Sequence, residues 1–297
     1  MASSANVLIP LYVAGRGAAA FLAPSLVGWM SQLSPGVPFG VVAGGLVVAA
    51  TLSCCLFDAK WDTYRRSARR APTLDVVSWD VAIVALLTFT SFFSIVFVVV
   101  VLPAIVATST PAAQILTATS TSTATIGSGI GSLVLNIGVG LYLAATPLVG
   151  MFIRWLPPRG VLYTFSLIAS LLAFALLEAF LSIGYVVTLF GAVIALSLGL
   201  GVLPVLTHMH LLDRTLPRIY SRHHVAAARL VSVAGSMGAL SASAAPALVK
   251  QLGANVEALV VGLLLPVGVC VMALLAVLAT IAVEVFRPPR GEEAARL

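Results

Sequence analysis

Long runs of apolar residues, separated by shorter polar segments, repeat along this chain. A run of about 20 residues is long enough to cross a hydrocarbon core of roughly 30 Å as a helix. Such runs are far too long for membrane β-strands, which need only about 10 residues. The pattern therefore predicts an all-α, polytopic transmembrane bundle of about eight spans, at 6–30, 37–57, 81–107, 127–153, 161–183, 184–207, 225–249 and 256–286.

The least certain division in this pattern lies within residues 161–207. The two spans there are separated only around Ser182, Gly184 and Tyr185. Composition supports the membrane class, because hydrophobic residues make up 60% of the chain and charged residues 9%. A soluble domain carries about a quarter charged residues.

Basic residues occur in alternate links between the predicted spans. The opposite links hold only Lys250. By the positive-inside rule this alternation predicts an integral, multi-pass protein with both termini in the cytoplasm. The basic residues that define the inner side are Lys60, Arg65, Arg66, Arg69, Arg70, Arg154, Arg159, Arg214, Arg218, Arg222, Arg229, Arg287, Arg290 and Arg296.

The net charge of +6 does not indicate a nucleic-acid partner, because the basic residues lie in loops between spans. Cys54, Cys55 and Cys270 lie in apolar segments without the spacing of zinc ligands, so we interpret them as small apolar residues. Neither a serine-protease turn nor a His-Glu-x-x-His motif occurs. The sequence predicts no enzyme activity, cofactor or metal.

A proline motif occurs near both ends of the chain. Ala23-Pro24-x-Leu26-Val27 in the first span has the same letters as Ala245-Pro246-x-Leu248-Val249 in the seventh. The inner link 154–160, Arg-Trp-Leu-Pro-Pro-Arg-Gly, joins the fourth and fifth spans, and Ala19, Ala23 and Gly28 surround Pro24. With the long charged inner stretch 58–80, this layout resembles the major facilitator superfamily, whose members have two six-helix halves.

The resemblance implies a division of the chain. Residues 1–57 would be the last two helices of an incomplete N-terminal half, 58–80 a cytoplasmic linker, 81–286 the six-helix C-terminal half and 287–297 a cytoplasmic tail. The first four helices of the family have no counterpart. The implied function is transport of a small solute across the lipid bilayer by alternating access, with missing helices encoded upstream or supplied by another membrane chain. The alternative is a non-transporting structural subunit or scaffold of a membrane complex.

Three polar residues in the spans are candidates for substrate binding. Arg16, about ten residues into the first span, would bind an anionic group unless it extends to the inner headgroups. Glu178, the one carboxylate well inside an apolar run, would carry a coupling proton unless it lies at the interface. Asn136 would hydrogen-bond a ligand, although Asn136, Tyr142 and Thr146 are more typical of links between helices.

Two further groups of residues have a structural interpretation that we favour. The glycines at 127, 129 and 131 lack the strand and lysine of a phosphate loop, and their spacing favours close helix packing. The histidines at 208, 210, 223 and 224 lie near the inner surface with only Asp213 as a candidate partner, which makes a metal site the weaker alternative.

Overall fold

A computed structural model describes residues 13–15, 30, 34, 37, 40–45, 47–48, 78–108, 137–138, 140–149, 159–211, 224–245, 247 and 256–286. Within these ranges every regular element is a helix and no strand occurs, which confirms the all-α prediction. The principal helices are α1 (Trp79–Thr108), α2 (Gly140–Val149), α3 (Arg159–Ile183), α4 (Val186–His210), α5 (His224–Ser243) and α6 (Val256–Phe286).

Four of these helices are long and apolar enough to cross a membrane: Trp79–Leu102, Arg159–Ile183, Val186–His210 and Glu257–Val283. They coincide with the third, fifth, sixth and eighth predicted spans. The described helices α2 and α5 overlap the fourth and seventh predicted spans. Most of the first two predicted spans lies outside the described residues.

The break between α3 and α4 is formed by a glycine. Gly184 has a φ of 78°, in the left-handed region that side chains disfavour. Its N–H donates to the Phe180 carbonyl over 2.8 Å, the single bond that commonly closes a helix C-terminus. Helix α4 begins two residues later, where the Thr188 N–H donates to the Tyr185 carbonyl over 3.0 Å. The structure thus confirms two helices within 161–207.

Helices α3 and α4 pack against each other in antiparallel directions. The Tyr163 hydroxyl, near the start of α3, donates to the carbonyl of Leu206 near the end of α4 over 3.0 Å. One turn further along α3, the Ser166 hydroxyl donates to the Gly199 carbonyl. Later residues of α3 therefore meet earlier residues of α4, as a two-residue connection requires. Helix α2 packs on the same hairpin, where a Cβ on Gly201 would lie 3.3 Å from the Ala145 Cβ.

Helices α1 and α5 are parallel. Near their N-termini, Val81 and Val84 of α1 share a buried cluster with Ala227 and Val231 of α5. About one to two turns later, Gly238 of α5 approaches the backbone of α1 at Phe89 and Phe93. Because a glycine has no Cβ, the two helices come closer here than larger residues would permit.

Helix α6 runs in the opposite direction to α1 and α3. The Trp79 Nε1 donates to the Thr280 hydroxyl over 3.1 Å, and a Cβ on Gly160 would lie 3.0 Å from the Ile281 side chain. The N-termini of α1, α3 and α5 and the C-termini of α4 and α6 therefore lie together. This end of the bundle, which contains Trp79, Tyr163, Leu206 and Thr280, is called the Trp79 end below.

The interior of the bundle is apolar, and so is much of its outer surface. Large side chains such as Phe97, Phe174 and Phe180 are almost completely buried. The exposed face of α3 is also apolar, with Phe165 and Leu172 more than half exposed at 58% and 54%. An apolar outer surface around an apolar core is unfavourable in water and favourable in hydrocarbon, consistent with an integral membrane protein.

Candidate functional site

Two of the three predicted substrate-binding residues, Arg16 and Asn136, lie outside the described residues. The helical residues Val13–Gly15 immediately precede Arg16, and Val13 and Ala14 are buried. The Tyr142 hydroxyl of α2 donates to the Val13 carbonyl over 3.2 Å. The first and fourth predicted spans therefore contact each other here, and Tyr142 serves as a link between helices.

Glu178, the third predicted residue, is exposed on α3. It lies about 28 Å along the helix from Arg159 at 1.5 Å per residue, which is close to the thickness of a hydrocarbon core. Its backbone carbonyl accepts a bond from the Ser182 hydroxyl over 3.0 Å. The structure therefore places Glu178 on the outer surface of the bundle near the end opposite Trp79. Its role in substrate binding stays a prediction.

The most polar part of the described interior is a set of four hydroxyl side chains on α1. Thr88, Thr90, Ser91 and Ser94 are all at most 3% exposed. The hydroxyls of Thr88 and Thr90 donate to carbonyls one turn earlier on the same helix, over 2.7 Å and 2.8 Å. Local bonds of this kind satisfy a hydroxyl without any partner from another helix.

Ser91 and Ser94 differ from these threonines. The Ser94 Oγ lies 3.7 Å from the Cys270 Sγ of α6, which is a weak hydrogen-bonding contact. The Ser91 Oγ is buried and has no hydrogen-bond partner among the described residues. Ser91 and Ser94 therefore lack the bonds to their own helix that Thr88 and Thr90 make.

A second set of hydroxyls links α3 to α4. The Ser166 hydroxyl donates to Gly199, and the Ser170 hydroxyl donates to the Ser166 carbonyl over 2.9 Å. A Cβ on Gly199 would lie 2.7 Å from the Ser170 Oγ, closer than real Cβ contacts. Because these hydroxyls are already bonded and tightly packed, their role is to hold the hairpin together.

The Trp79 end combines aromatic and histidine side chains. The Tyr163 ring lies 6.0 Å from the His210 ring between centroids, and the His208 Nδ1 lies 2.8 Å from the Pro204 carbonyl oxygen. Within the described part of the chain, no three His, Cys, Asp or Glu side chains are grouped closely enough to hold a metal ion. His208 and His210 thus contact their own hairpin. His223 and Asp213 lie outside the described residues, as does the side chain of His224.

Comparison of the chain with protein-family models, with curated proteins and with solved structures finds no match. Within the described part of the chain, the polar group recorded beside Ser94 is neutral, and a charge buried there without a countercharge would be costly.

Ser91 and Ser94 were not among the residues singled out from the sequence. Four hydroxyls within two turns of an otherwise apolar run were visible there. That signal is ambiguous, because serine and threonine in a membrane helix usually bond their own backbone, as Thr88 and Thr90 do. The structure adds that Ser94 contacts Cys270 of α6, whereas Thr88 and Thr90 bond their own helix.

Proposed function

We propose that this protein transports a small solute across a membrane by alternating access, as an eight-span chain that resembles the C-terminal eight helices of a major facilitator transporter. The directions of the described helices support this proposal most strongly. Counted as spans, α1, α3 and α5 are the third, fifth and seventh, and α4 and α6 are the sixth and eighth. Odd-numbered spans run one way and even-numbered spans the other, as an eight-span plan requires.

The same arrangement supports a cytoplasmic position for the Trp79 end. Arg159 begins α3, and Arg229 lies in the second turn of α5, so both belong to helix ends that gather there. Trp79 is 59% exposed at this end, which suits an indole at the headgroup level. By the positive-inside rule the Trp79 end faces the cytoplasm, and an even number of spans then places both termini on that side.

The topology is tested by labelling single cysteines from one side of the membrane. Ser67→Cys and Thr121→Cys are introduced separately into a chain whose Cys54, Cys55 and Cys270 are replaced by Ala. With a membrane-impermeant maleimide on sealed cells, Thr121→Cys should react at once and Ser67→Cys only after permeabilisation. Labelling of both from the same side would rule out the eight-span plan.

The substrate site in this proposal includes Arg16, Asn136 and Glu178, with Arg16 binding an anionic group. The test is uptake by purified protein in liposomes, screened with anionic, cationic and neutral solutes. Arg16→Ala should abolish uptake of the transported solute, and Arg16→Lys should restore part of it if charge matters more than bidentate geometry. Arg229→Ala is the control, because Arg229 is exposed on α5. Unchanged uptake in Arg16→Ala would remove Arg16 from the site.

A second candidate function is a non-transporting subunit that packs within a larger membrane complex. The exposed face of α5 favours it, because Ala228, Ser232 and Ser236 lie there at four-residue spacing. Small residues in this pattern permit close packing of another membrane helix. Affinity purification in mild detergent distinguishes the two functions. A subunit should co-purify with a partner and show no uptake alone, whereas uptake by the isolated chain would exclude this function.

A further inference from the structure

The outer face of α3 is an apolar strip that extends along most of the helix. Val161, Phe165, Ile168 and Leu172 follow one another at spacings of three or four residues, and each is more than half exposed. Residues at these spacings lie on one side of a helix. In a bundle embedded in a membrane, this outer face contacts the acyl chains of lipids.

Glu178 lies at the edge of this outer face, on the side where α3 meets α6. It follows Gly160 by about five turns of 3.6 residues, so both residues lie on the same side of the helix. That side packs on α6, because a Cβ on Gly160 would lie 3.0 Å from the Ile281 side chain. Since α6 is antiparallel to α3, Leu263 lies at about the level of Glu178, and the next residue, Leu264, is 59% exposed. Glu178 therefore borders a surface on which both helices expose apolar side chains.

The apolar surface continues beyond Glu178 towards the end opposite Trp79. Ile183, the last residue of α3, is 53% exposed, and Val187, near the start of α4, is 81% exposed. Glu178 is itself exposed, so its side chain is on the outer surface of the bundle. A carboxylate bordered by apolar surface in a membrane is costly unless a cation or hydrogen-bond donors accompany it.

We propose that Glu178 and the outer face of α3 bind a zwitterionic phospholipid whose headgroup ends in a primary ammonium, namely phosphatidylethanolamine. The ammonium pairs with the Glu178 carboxylate, and the acyl chains lie against the exposed apolar side chains of α3 and α6. Glu178 lies about 28 Å along α3 from Arg159, so when Arg159 is at one set of headgroups Glu178 is within reach of the other.

Complementary charge favours this lipid over a membrane helix of another chain. A partner helix would have to carry its cation into the edge of the hydrocarbon, which is costly before the two helices meet. The lipid carries its ammonium at the headgroup level already. Lipid binding requires neither a gradient nor a solute, so it goes beyond the proposed transport and can be tested separately from it.

The carboxylate also determines which headgroup is preferred. A primary ammonium has three N–H donors and forms short, charge-assisted hydrogen bonds to a carboxylate. The trimethylated ammonium of phosphatidylcholine has the same charge but no N–H donor, and phosphatidylglycerol is an anion. Both lipids should therefore bind less tightly than phosphatidylethanolamine.

The test is native mass spectrometry of the purified protein in mild detergent. The protein is titrated with phosphatidylethanolamine, its monomethyl and dimethyl derivatives, phosphatidylcholine and phosphatidylglycerol, all with the same acyl chains. We expect phosphatidylethanolamine to bind about fivefold more tightly than phosphatidylcholine, with the partly methylated lipids between them, because a surface ion pair contributes little free energy. Equal affinity across the methylation series would overturn the site, as would a preference for phosphatidylglycerol.

Substitution of Glu178 identifies the group responsible. Glu178→Gln removes the charge at nearly constant size and should abolish the preference for phosphatidylethanolamine, whereas Glu178→Asp should retain part of it. Glu257→Gln is the matched control, because Glu257 is an exposed carboxylate in the first turn of α6, at the same end of the bundle. An equal loss of preference in the two glutamine variants would indicate a general effect of charge and would contradict a site at Glu178.

The remaining outcomes also decide the proposal. An unchanged preference in Glu178→Gln would remove Glu178 from lipid binding. A dimer that disappears in Glu178→Gln, without any preference among the lipids, would assign the outer face of α3 to a second copy of the chain and overturn lipid binding. If Glu178→Gln does not fold, the methylation series on the native protein still tests whether the ammonium donates hydrogen bonds to the protein.

Discussion

Substitution of Gly238 by alanine tests a close contact between α1 and α5. A Cβ at this position would lie 2.5 Å from the Phe89 carbonyl oxygen and 3.2 Å from the Phe93 backbone nitrogen. Both are backbone atoms of α1, so a change of side-chain rotamer does not relieve the overlap. To reach an ordinary contact of about 3.4 Å, α1 and α5 must separate locally by about 0.9 Å.

A separation of this size has a calculable cost. A gap of about 0.5 to 1 Å removes a quarter to a half of the attraction between each pair of contacting atoms. Overpacking of a tight interior typically costs about 1 to 3 kcal/mol. We therefore expect Gly238→Ala to lower the free energy of unfolding by about 2 kcal/mol. The higher helix propensity of alanine offsets at most about 1 kcal/mol of the loss.

Purified protein in mild detergent is unfolded by titration with sodium dodecyl sulfate, and the loss of helix is measured by circular dichroism. Gly268→Ala in α6 is the matched control, because a Cβ there has no neighbour within 4 Å. Gly235→Ala should lie between the two, since its nearest neighbours are the side chains of Phe92 and Thr88. If Gly238→Ala is as stable as Gly268→Ala, the close packing of α1 and α5 is refuted.

Three other substitutions test the described contacts in the same unfolding measurement. Gly184→Ala forces an alanine into a φ of 78° and should lower the free energy of unfolding by about 1 to 2 kcal/mol, whereas Gly184→Asn should lower it less. If both variants are as stable as the native chain, the left-handed turn is contradicted. Tyr142→Phe removes the bond that the Tyr142 hydroxyl donates to the Val13 carbonyl and should lower the free energy of unfolding by about 1 kcal/mol. No change would show that this link does not stabilise the bundle. Trp79→Phe removes an exposed bond to Thr280 and should change the free energy of unfolding by less than about 0.5 kcal/mol. A larger loss would mean that the bond is not exposed.

The helical class and the positions of the long helices could be predicted from local sequence alone. Backbone groups in hydrocarbon must be satisfied within their own segment, so an apolar run of about 20 residues specifies a helix without reference to its neighbours. The break at Gly184 was also visible, because glycine tolerates a conformation that other residues avoid. Because each apolar run specifies its own helix, the ends of α3, α4 and α6 differ little from the predicted boundaries.

The candidate site was less predictable. Glu178 stands out in the sequence because a carboxylate is rare in an apolar run, but its position around the helix axis, which makes it exposed, depends on which faces of α3 are covered. Ser94 resembles Thr88 and Thr90 in sequence, and its contact with Cys270 depends on how α6 packs against α1.

By itself the sequence determined that this protein is helical and apolar enough for a membrane, since both properties depend on a few neighbouring residues. The tertiary structure alone decided that α1 runs parallel to α5, that Gly238 lies against the α1 backbone, and that the Ser91 hydroxyl is enclosed without a described partner. These features depend on how side chains more than a hundred positions apart in the chain pack together. Such packing cannot be inferred from local hydrophobicity.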